Sequence, residues 1–356
     1  MGKNMILRMP SYYRDFKCTA DKCSDSCCIG WEIDIDSKTY ECYKNVNGEF
    51  GNKLKQNIAE VSVPHFRLGN DERCPFLNER NLCEIFINLG EDKLCEICTE
   101  HPRFFEWYDG VKEGGTGLCC EASARLIITH REAFSYYDTV TEYEECNDYD
   151  EDFYDYLFRM RDMIISHLQS DEIPLMKRLN NVLHFAYNMQ CEYDNFSLDF
   201  LPLEQVDFSD ERSDLQGILR EFSCLEMLGK ENLFEKALNN FSENSFLKIF
   251  SDKNIEKAFE NIAVYFVWRH FLKSVYEDEF YSKIAFSVLS TLLIAVLYAA
   301  ENQVFSTDEL IVKSVYYSKE VEYSEQNLCK IFDNFYENDA FSISKISSLL
   351  KFFSNF

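Results

Sequence analysis

Four cysteines, Cys18, Cys23, Cys27 and Cys28, crowd the single string FKCTADKCSDSCC, and eleven of the fifteen in the chain fall within its first 120 residues. Thiolates are soft ligands, and a loop-rich stretch that carries many of them is ordinarily organised by zinc or by an iron–sulfur cluster. A metal held there does part of the folding. The thiols resume in CPFLNERNLC (Cys74, Cys83), continue through LGEDKLCEICTEHPRFF (Cys95, Cys98) and end in LCCEASAR (Cys119, Cys120). A four-thiolate site needs both groups to meet in space. The candidate metal ligands are Cys18, Cys23, Cys27, Cys28, Cys74, Cys83, Cys95, Cys98 and Cys119, enough for two sites or for one with spares. Cys146, Cys191, Cys224 and Cys329 stand alone further along and read as small buried hydrophobes.

At 356 residues, 46% hydrophobic and with 31 Phe and 21 Tyr, the chain can fill two sizeable cores. The start, MGKNMILRMPSYYRDF, lacks an apolar run of signal-peptide length, so the expected compartment is the cytoplasm. Disulfides rarely persist there, which turns the cysteines towards metal or redox chemistry. The uncharged run from Ile284 to Ala300 is the one stretch with membrane-spanning composition, and its Ser and Thr content favours a buried core helix. No membrane partner is expected.

The net charge of −26 is uneven: residues 1–140 carry 17 basic and 23 acidic side chains, net −6, which leaves net −20 for the rest. Such a field repels a phosphate backbone and no basic stripe interrupts it, so nucleic acid is excluded as a partner. An acidic surface suits a cationic, lysine-bearing partner.

The pattern predicts a mainly α fold: a cysteine-rich, metal-organised N-terminal domain over 1–140, then an acidic α-helical C-terminal domain over 141–356. Up to about residue 125 the chain is irregular, with Trp31, Ile33 and Ile35 alternating with acids in WEIDID. From Glu121 the period becomes helical, interrupted by the acidic stretch at 141–152, where the domain boundary is expected. Helices are predicted near 153–168, 172–190, 213–241, 254–280, 282–301, 308–320, 324–338 and 342–354, with Asp252, Ser306 and Ser324 at or near helix starts as caps.

The strings MPSYYRDFKC, CSDSCCIGWEIDID, CPFLNERNLCEI, LGEDKLCEICTEHPRF and LCCEASARLII, in that order over most of residues 8–128, resemble the flagellin lysine N-methylases. The N-terminal region of that family is similar to small cysteine-cluster proteins named for zinc or iron chelation. The resemblance implies a cytoplasmic enzyme that moves a methyl group from S-adenosylmethionine to lysine ε-amines of flagellin and carries an iron–sulfur cluster of the 4Fe-4S kind, with zinc as the alternative. The family pattern has Pro where Cys120 stands, Arg or a small polar residue at Thr99, and Tyr or Phe at His101. Cys120 is therefore left outside the ligand set, and His101 is read as a surface residue or a neighbour of the ligands.

The usual radical S-adenosylmethionine spacing is missing, because the loop reads Cys23-x3-Cys27-Cys28. No strand leads into a Gly-x-Gly-x-Gly turn either. Gly114, Gly115 and Gly117 in KEGGTGLCC are expected to form a flexible loop beside the thiols. Methyl transfer to an amine needs a neutral lysine, an acceptor for its proton and a sulfonium held in line. Tyr12, Tyr13, Asp34 and Tyr108 are the candidate catalytic residues, and Arg14, Trp31, Gly115 and Gly117 the candidate cofactor contacts. Asp15, Asp36, Trp107, Asp109, Arg103 and Arg125 lie close by in sequence; Trp31 is expected to pack under the thiol loop, Trp107 to fill core, and Asp34 and Asp36 to face solvent. Two other readings compete: a non-enzymatic zinc-stapled interaction protein, and an iron–sulfur electron carrier.

Overall fold

Short polar side chains that accept hydrogen bonds from exposed backbone amides set the starts of six helices in this chain. The structure, a computed structural model, describes residues 4–24, 26–108, 110–145, 148–229, 231–242, 246, 253–302 and 304–354. Asp109, Cys146 and the expected cap Asp252 lie outside the described residues. Helix α6 (Glu151–Leu168) starts on Asp150, α8 (Leu215–Ser223) on Asp214, and α9 (Leu233–Asn240) on Asn232. Ser306 and Ser324 cap α12 (Thr307–Tyr317) and α13 (Glu325–Glu337), as the sequence predicts. Helices α7 (Leu175–Asp194), α10 (Lys253–His270), α11 (Tyr281–Glu301) and α14 (Ile343–Ser354) complete the bundle.

Helix α11 is apolar on every side and packs against α7, α9, α10, α12 and α13. It is long and apolar enough to cross a membrane, yet it is enclosed by the protein along nearly its whole length, as expected of a core helix. Its hydroxyls are absorbed internally: Ser287 Oγ and Thr291 Oγ1 donate to carbonyls one turn back, and Ser290 Oγ accepts from Tyr317 OH at 2.8 Å.

The bundle holds a four-stranded mixed sheet in the order β4 (Arg103–Tyr108), β5 (Val111–Thr116), β1 (Asn4–Pro10), β6 (Tyr136–Glu142). Strand β1 runs parallel to β5, with Leu7 opposite Lys112, and antiparallel to β6, with Asn4 opposite Glu142 and Pro10 opposite Tyr136. The Arg161 guanidinium on α6 is fully buried and makes a two-pronged contact with Glu113 of β5 at 2.6 and 2.8 Å. Its face lies 4.2 Å from the Trp268 ring on α10, and Trp268 Nε1 donates to Gly114 O at 3.0 Å. Arg8 on β1 reaches Glu113 at 3.5 Å and holds Asp138 on β6 at 2.9 and 3.1 Å. One chain of charges thus joins three strands to two helices.

Two sequence expectations change here. Residues 136–140, read as part of a helical run, and 141–142, read as the start of the acidic interruption, form strand β6: alternate Tyr, Thr and Val suit an extended chain, and β1 supplies the ladder that the local pattern does not announce. The single helix expected over 213–241 is two, because the Glu320 carboxylate accepts from Leu228 N and Gly229 N at 2.6 and 3.0 Å and holds the intervening turn.

Contacts divide the chain into two units, and neither follows one cut near residue 140. The larger comprises 1–15, 105–115 and 124–356; the smaller, 16–104 and 116–123. Residues 4–10 leave the cysteine-rich part because they are a central strand of the sheet. The smaller unit holds short helices α1 (Ser37–Lys44), α2 (Gly48–Gln56), α3 (Glu84–Leu89) and α4 (Glu96–Glu100), and the two-residue strands β2 (Ile58–Ala59) and β3 (His65–Phe66). Its core is built on Ile33, Ile35, Tyr43, Leu54, Phe66 and Phe76 with the thiols of Cys74 and Cys95. Asp36, expected in solvent, caps α1 by accepting from Thr39 N at 2.9 Å and also accepts from Glu96 N at 3.0 Å.

Removing one partner of a buried, hydrogen-bonded charge pair leaves the other stranded. Arg161→Met is expected to cost about 3–5 kcal/mol, and Arg161→Met with Glu113→Leu to recover part of that loss, as read from denaturant midpoints.

Burial pushes His270 down to about 4 while its Nε2 lies 2.8 Å from Glu322 Oε1. Burial pushes Glu322 up, but Arg269 and the hydrogen bond with His270 outweigh that and hold it below the usual carboxylate range. Between about pH 6.5 and 4 the unfolded chain binds the proton that the folded His270 refuses, so this stability is complete above pH 6.5 and declines as the pH falls. A loss on the order of 2–3 kcal/mol is expected across that window, and the His270→Asn variant is expected to lack that slope in urea melts.

Candidate metal centre

The smaller unit brings the second group of thiols to the loop that carries the first. Cys74 N donates to Cys28 O at 2.9 Å, and an antiparallel bridge pairs Leu77 with Cys83. Cys74 and Cys95 are buried in the core, and Cys28, Cys83 and Cys98 pack against it. Cys95 starts the short helix α4, and the spacing to Cys98 sets the two thiols within hydrogen-bonding reach.

These sulfurs feel one another. The hydrogen bond from Cys98 holds the Cys95 thiol below its ordinary range, while the same contact, then burial, and the nearby Cys28 and Cys74 push Cys98 up. Burial pushes Cys74 up to about 11, with Cys83 and Cys95 adding to it. Burial also raises Cys83, helped by Cys27 and Cys95. Cys120 is raised by burial and by Cys27 and Cys18, so the structure draws into the thiol neighbourhood a residue that the sequence reading left out. Cys18 is exposed, with its sulfur accepting from Ala20 N at 3.4 Å; Cys23 is half-buried and Cys119 buried.

Thiols that raise one another's pKa keep their protons; a thiolate-binding cation reverses that balance. The hydroxyls of Thr116 and Ser123, which flank Cys119 and Cys120 in the chain, are buried with no hydrogen-bond partner. Such groups call for an acceptor.

Tyr43, which the sequence reading passed over, is fully buried among the thiols. Its hydroxyl donates to Lys93 O at 2.7 Å and stands 3.6 Å from Cys95 Sγ. Burial, and then Cys95, push its pKa far up, so it stays a neutral donor. Its place two positions after the exposed Glu41, on a short helix of low apolar content, is the weak signal that could have found it.

Trp31 packs on the thiol loop as expected, its Nε1 donating to Cys27 O at 2.8 Å and its ring tilted against His101 at 5.6 Å. Asp34 is exposed. Arg103 donates to Thr99 O at 3.0 Å and lies over Phe16.

The other candidates belong to the larger unit. Burial pushes Tyr12 and Tyr108 well above the ordinary phenol range, so neither is a ready proton acceptor. The Tyr12 hydroxyl is buried with no hydrogen-bond partner, beside His130 at 5.8 Å, while Tyr108 is enclosed by Tyr149, Tyr154 and Tyr276. Tyr13 is half-buried. Arg14 stacks on Tyr137 at 4.0 Å and Arg125 pairs with Asp308 at 2.8 Å. Trp107 is only half-buried, donating from Nε1 to Glu144 at 2.6 Å.

The expected flexible glycine loop is ordered. Gly114 and Gly115 lie buried in β5, where a Cβ on Gly114 would meet Phe105 at 2.6 Å and Met9 at 2.7 Å, and Gly117 N donates to Pro102 O at 2.8 Å. Gly114 serves close packing.

Residues 211–349 match the family model of the FliB lysine N-methylase C-terminal domain. The flagellar biosynthetic protein FliU of Salmonella muenchen is 29% identical over 137 residues, which cover 35% of this chain and 79% of that protein. The lysine-N-methylases of Salmonella choleraesuis and Salmonella typhimurium are each 28% identical over 137 residues, which cover 35% of this chain and 33% of theirs. The match thus spans about a third of the length of these two methylases. No solved structure matches the chain.

Proposed function

We propose, from a chain related to the FliB lysine N-methylases, that it methylates lysine ε-amines of flagellin with S-adenosylmethionine as donor and holds an iron–sulfur cluster on the thiols of its smaller unit. The observation that carries this reading is the gathering of Cys28, Cys74, Cys83, Cys95 and Cys98 around one core, in a chain whose C-terminal region matches a lysine N-methylase domain. When bound, S-adenosylmethionine supplies the methyl as an electrophilic sulfonium.

The residues divide the remaining work by chemistry. Cys28, Cys74, Cys83, Cys95 and Cys98, with Cys27 close to Cys83, would hold the cluster, and the neutral Tyr43 hydroxyl would position Cys95. Thr116 and Ser123 offer unpartnered hydroxyls to an anionic group. The lysine must lose its proton before attack. Tyr12 and Tyr108 hold their own protons too tightly to take it, which leaves an exposed carboxylate or water as the acceptor. The net charge of −26 draws a cationic substrate surface towards the protein.

The full chain purified without oxygen is expected to be brown, with about four irons per chain and a broad absorption near roughly 400 nm. The Cys27→Ser, Cys28→Ser double variant is expected to lose both. Incubated with flagellin and S-adenosylmethionine, the loaded protein is expected to add methyl groups to flagellin lysines by peptide mass spectrometry, and the variant to add few or none. A colourless protein with stoichiometric zinc that leaves flagellin unmodified would instead make it a zinc-stapled interaction protein. A cluster that cycles between redox states without methyl transfer would make it an electron carrier.

A further inference from the structure

The segment Trp31–Asp36 alternates apolar and acidic residues, and the structure uses that alternation in two directions. Ile33 and Ile35 are buried in the smaller unit's core at 1% and 2% exposure, which turns Glu32 and Asp34 outward on one edge. The backbone is anchored beside β3: Ile35 N donates to Pro64 O at 2.8 Å, and Phe66 N to Ile33 O at 3.0 Å. Asp34 and His65 are partners across an antiparallel bridge, which puts their side chains on the same face.

Glu32, Asp34 and His65 consequently converge, each offering a ligand atom within 4.8 Å of the other two. His65 Nδ1 lies 3.2 Å from Val63 O, a carbonyl that can only accept, so the proton sits on Nδ1. In the neutral ring the Nε2 lone pair then faces Glu32 Oε2 at 3.3 Å, acceptor against acceptor. A proton on Nε2 or a cation seated between the two atoms satisfies that arrangement. A ring held by a carbonyl on one nitrogen and open on the other is also how metal-ligating imidazoles are ordinarily oriented. With the His65 side chain 22% exposed and that of Glu32 61% exposed, solvent ions reach all three donors.

We propose that Glu32, Asp34 and His65 bind a divalent cation of the manganese or zinc class, at a site separate from the thiols. One imidazole nitrogen and two carboxylate oxygens are harder donors than thiolate and leave coordination positions open to water. The bound cation neutralises the two carboxylates and ties the segment that follows the thiol loop to strand β3.

Manganese(II) is the probe, because it competes poorly for thiolates and leaves the cysteine centre undisturbed. The full chain, purified without oxygen, is titrated with Mn2+ and the free ion followed by electron paramagnetic resonance. One site per chain is expected in the wild type, weakened at least about tenfold in both His65→Ala and Glu32→Gln. Zinc is expected to displace the manganese. The Glu32→Gln change touches an exposed side chain and keeps its shape, so loss of binding there is not loss of fold, which circular dichroism checks. No manganese site in the wild type, or equal binding in both variants, overturns the proposal and leaves a protonated His65 paired with Glu32.

Discussion

The Arg161–Glu113 pair is the joint on which the larger unit depends. A guanidinium and a carboxylate held away from water are tolerated only when each satisfies the other, and here the contact is two-pronged and capped by the face of Trp268. The pair fixes the centre of the sheet to α6, while the indole of Trp268 fixes the neighbouring carbonyl of Gly114 to α10. Arg8 extends the same network across β1 to Asp138 on β6. The N-terminal strand is recruited into the helical unit by charge pairing as well as by backbone ladders.

The smaller unit is stabilised on another principle. Its helices are short, its strands are two residues long, and its core mixes aromatic rings with thiols. Phe66 packs on Phe76 with centroids 4.9 Å apart and stacks on Tyr43 at 6.3 Å, so the ring that stands beside Cys95 is itself locked by packing. Rings of this kind fix where the sulfurs of Cys95 and Cys98 stand. Burial keeps the thiols of Cys74 and Cys83 protonated, and the hydrogen bond with Cys95 together with burial does the same for Cys98.

Much of this was legible in the chain itself, for reasons that are local. The caps Ser306 and Ser324 act through amides three residues away, and the apolar period of α11 needs no partner to be seen. The alternation of Trp31 to Asp36 is visible along the chain, and the structure buries Ile33 and Ile35 on its apolar side. Strand β6 was not legible because its ladder partner lies about 130 residues away and Val140 on it is exposed, which removes the alternating signal. Nor was the turn between α8 and α9, which depends on a carboxylate at Glu320, about ninety residues further on. Among the site residues, Tyr12, Tyr108 and Asp36 were picked for their chemical type, but burial and capping, which only packing reveals, assign the first two to neutral hydroxyls and the third to a helix start.

By itself the sequence determined that the first third of the chain is a thiol-rich region and the remainder a helical bundle with an acidic surface. Composition, spacing and short-range periodicity are properties of neighbours along the chain. Tertiary structure alone decided which thiols meet, that Tyr43 stands among them, that residues 4–10 serve the bundle's sheet, and that Glu32, Asp34 and His65 face one another. Each of these joins segments far apart in sequence, and their meeting is fixed by which apolar faces bury together and which buried charges must pair.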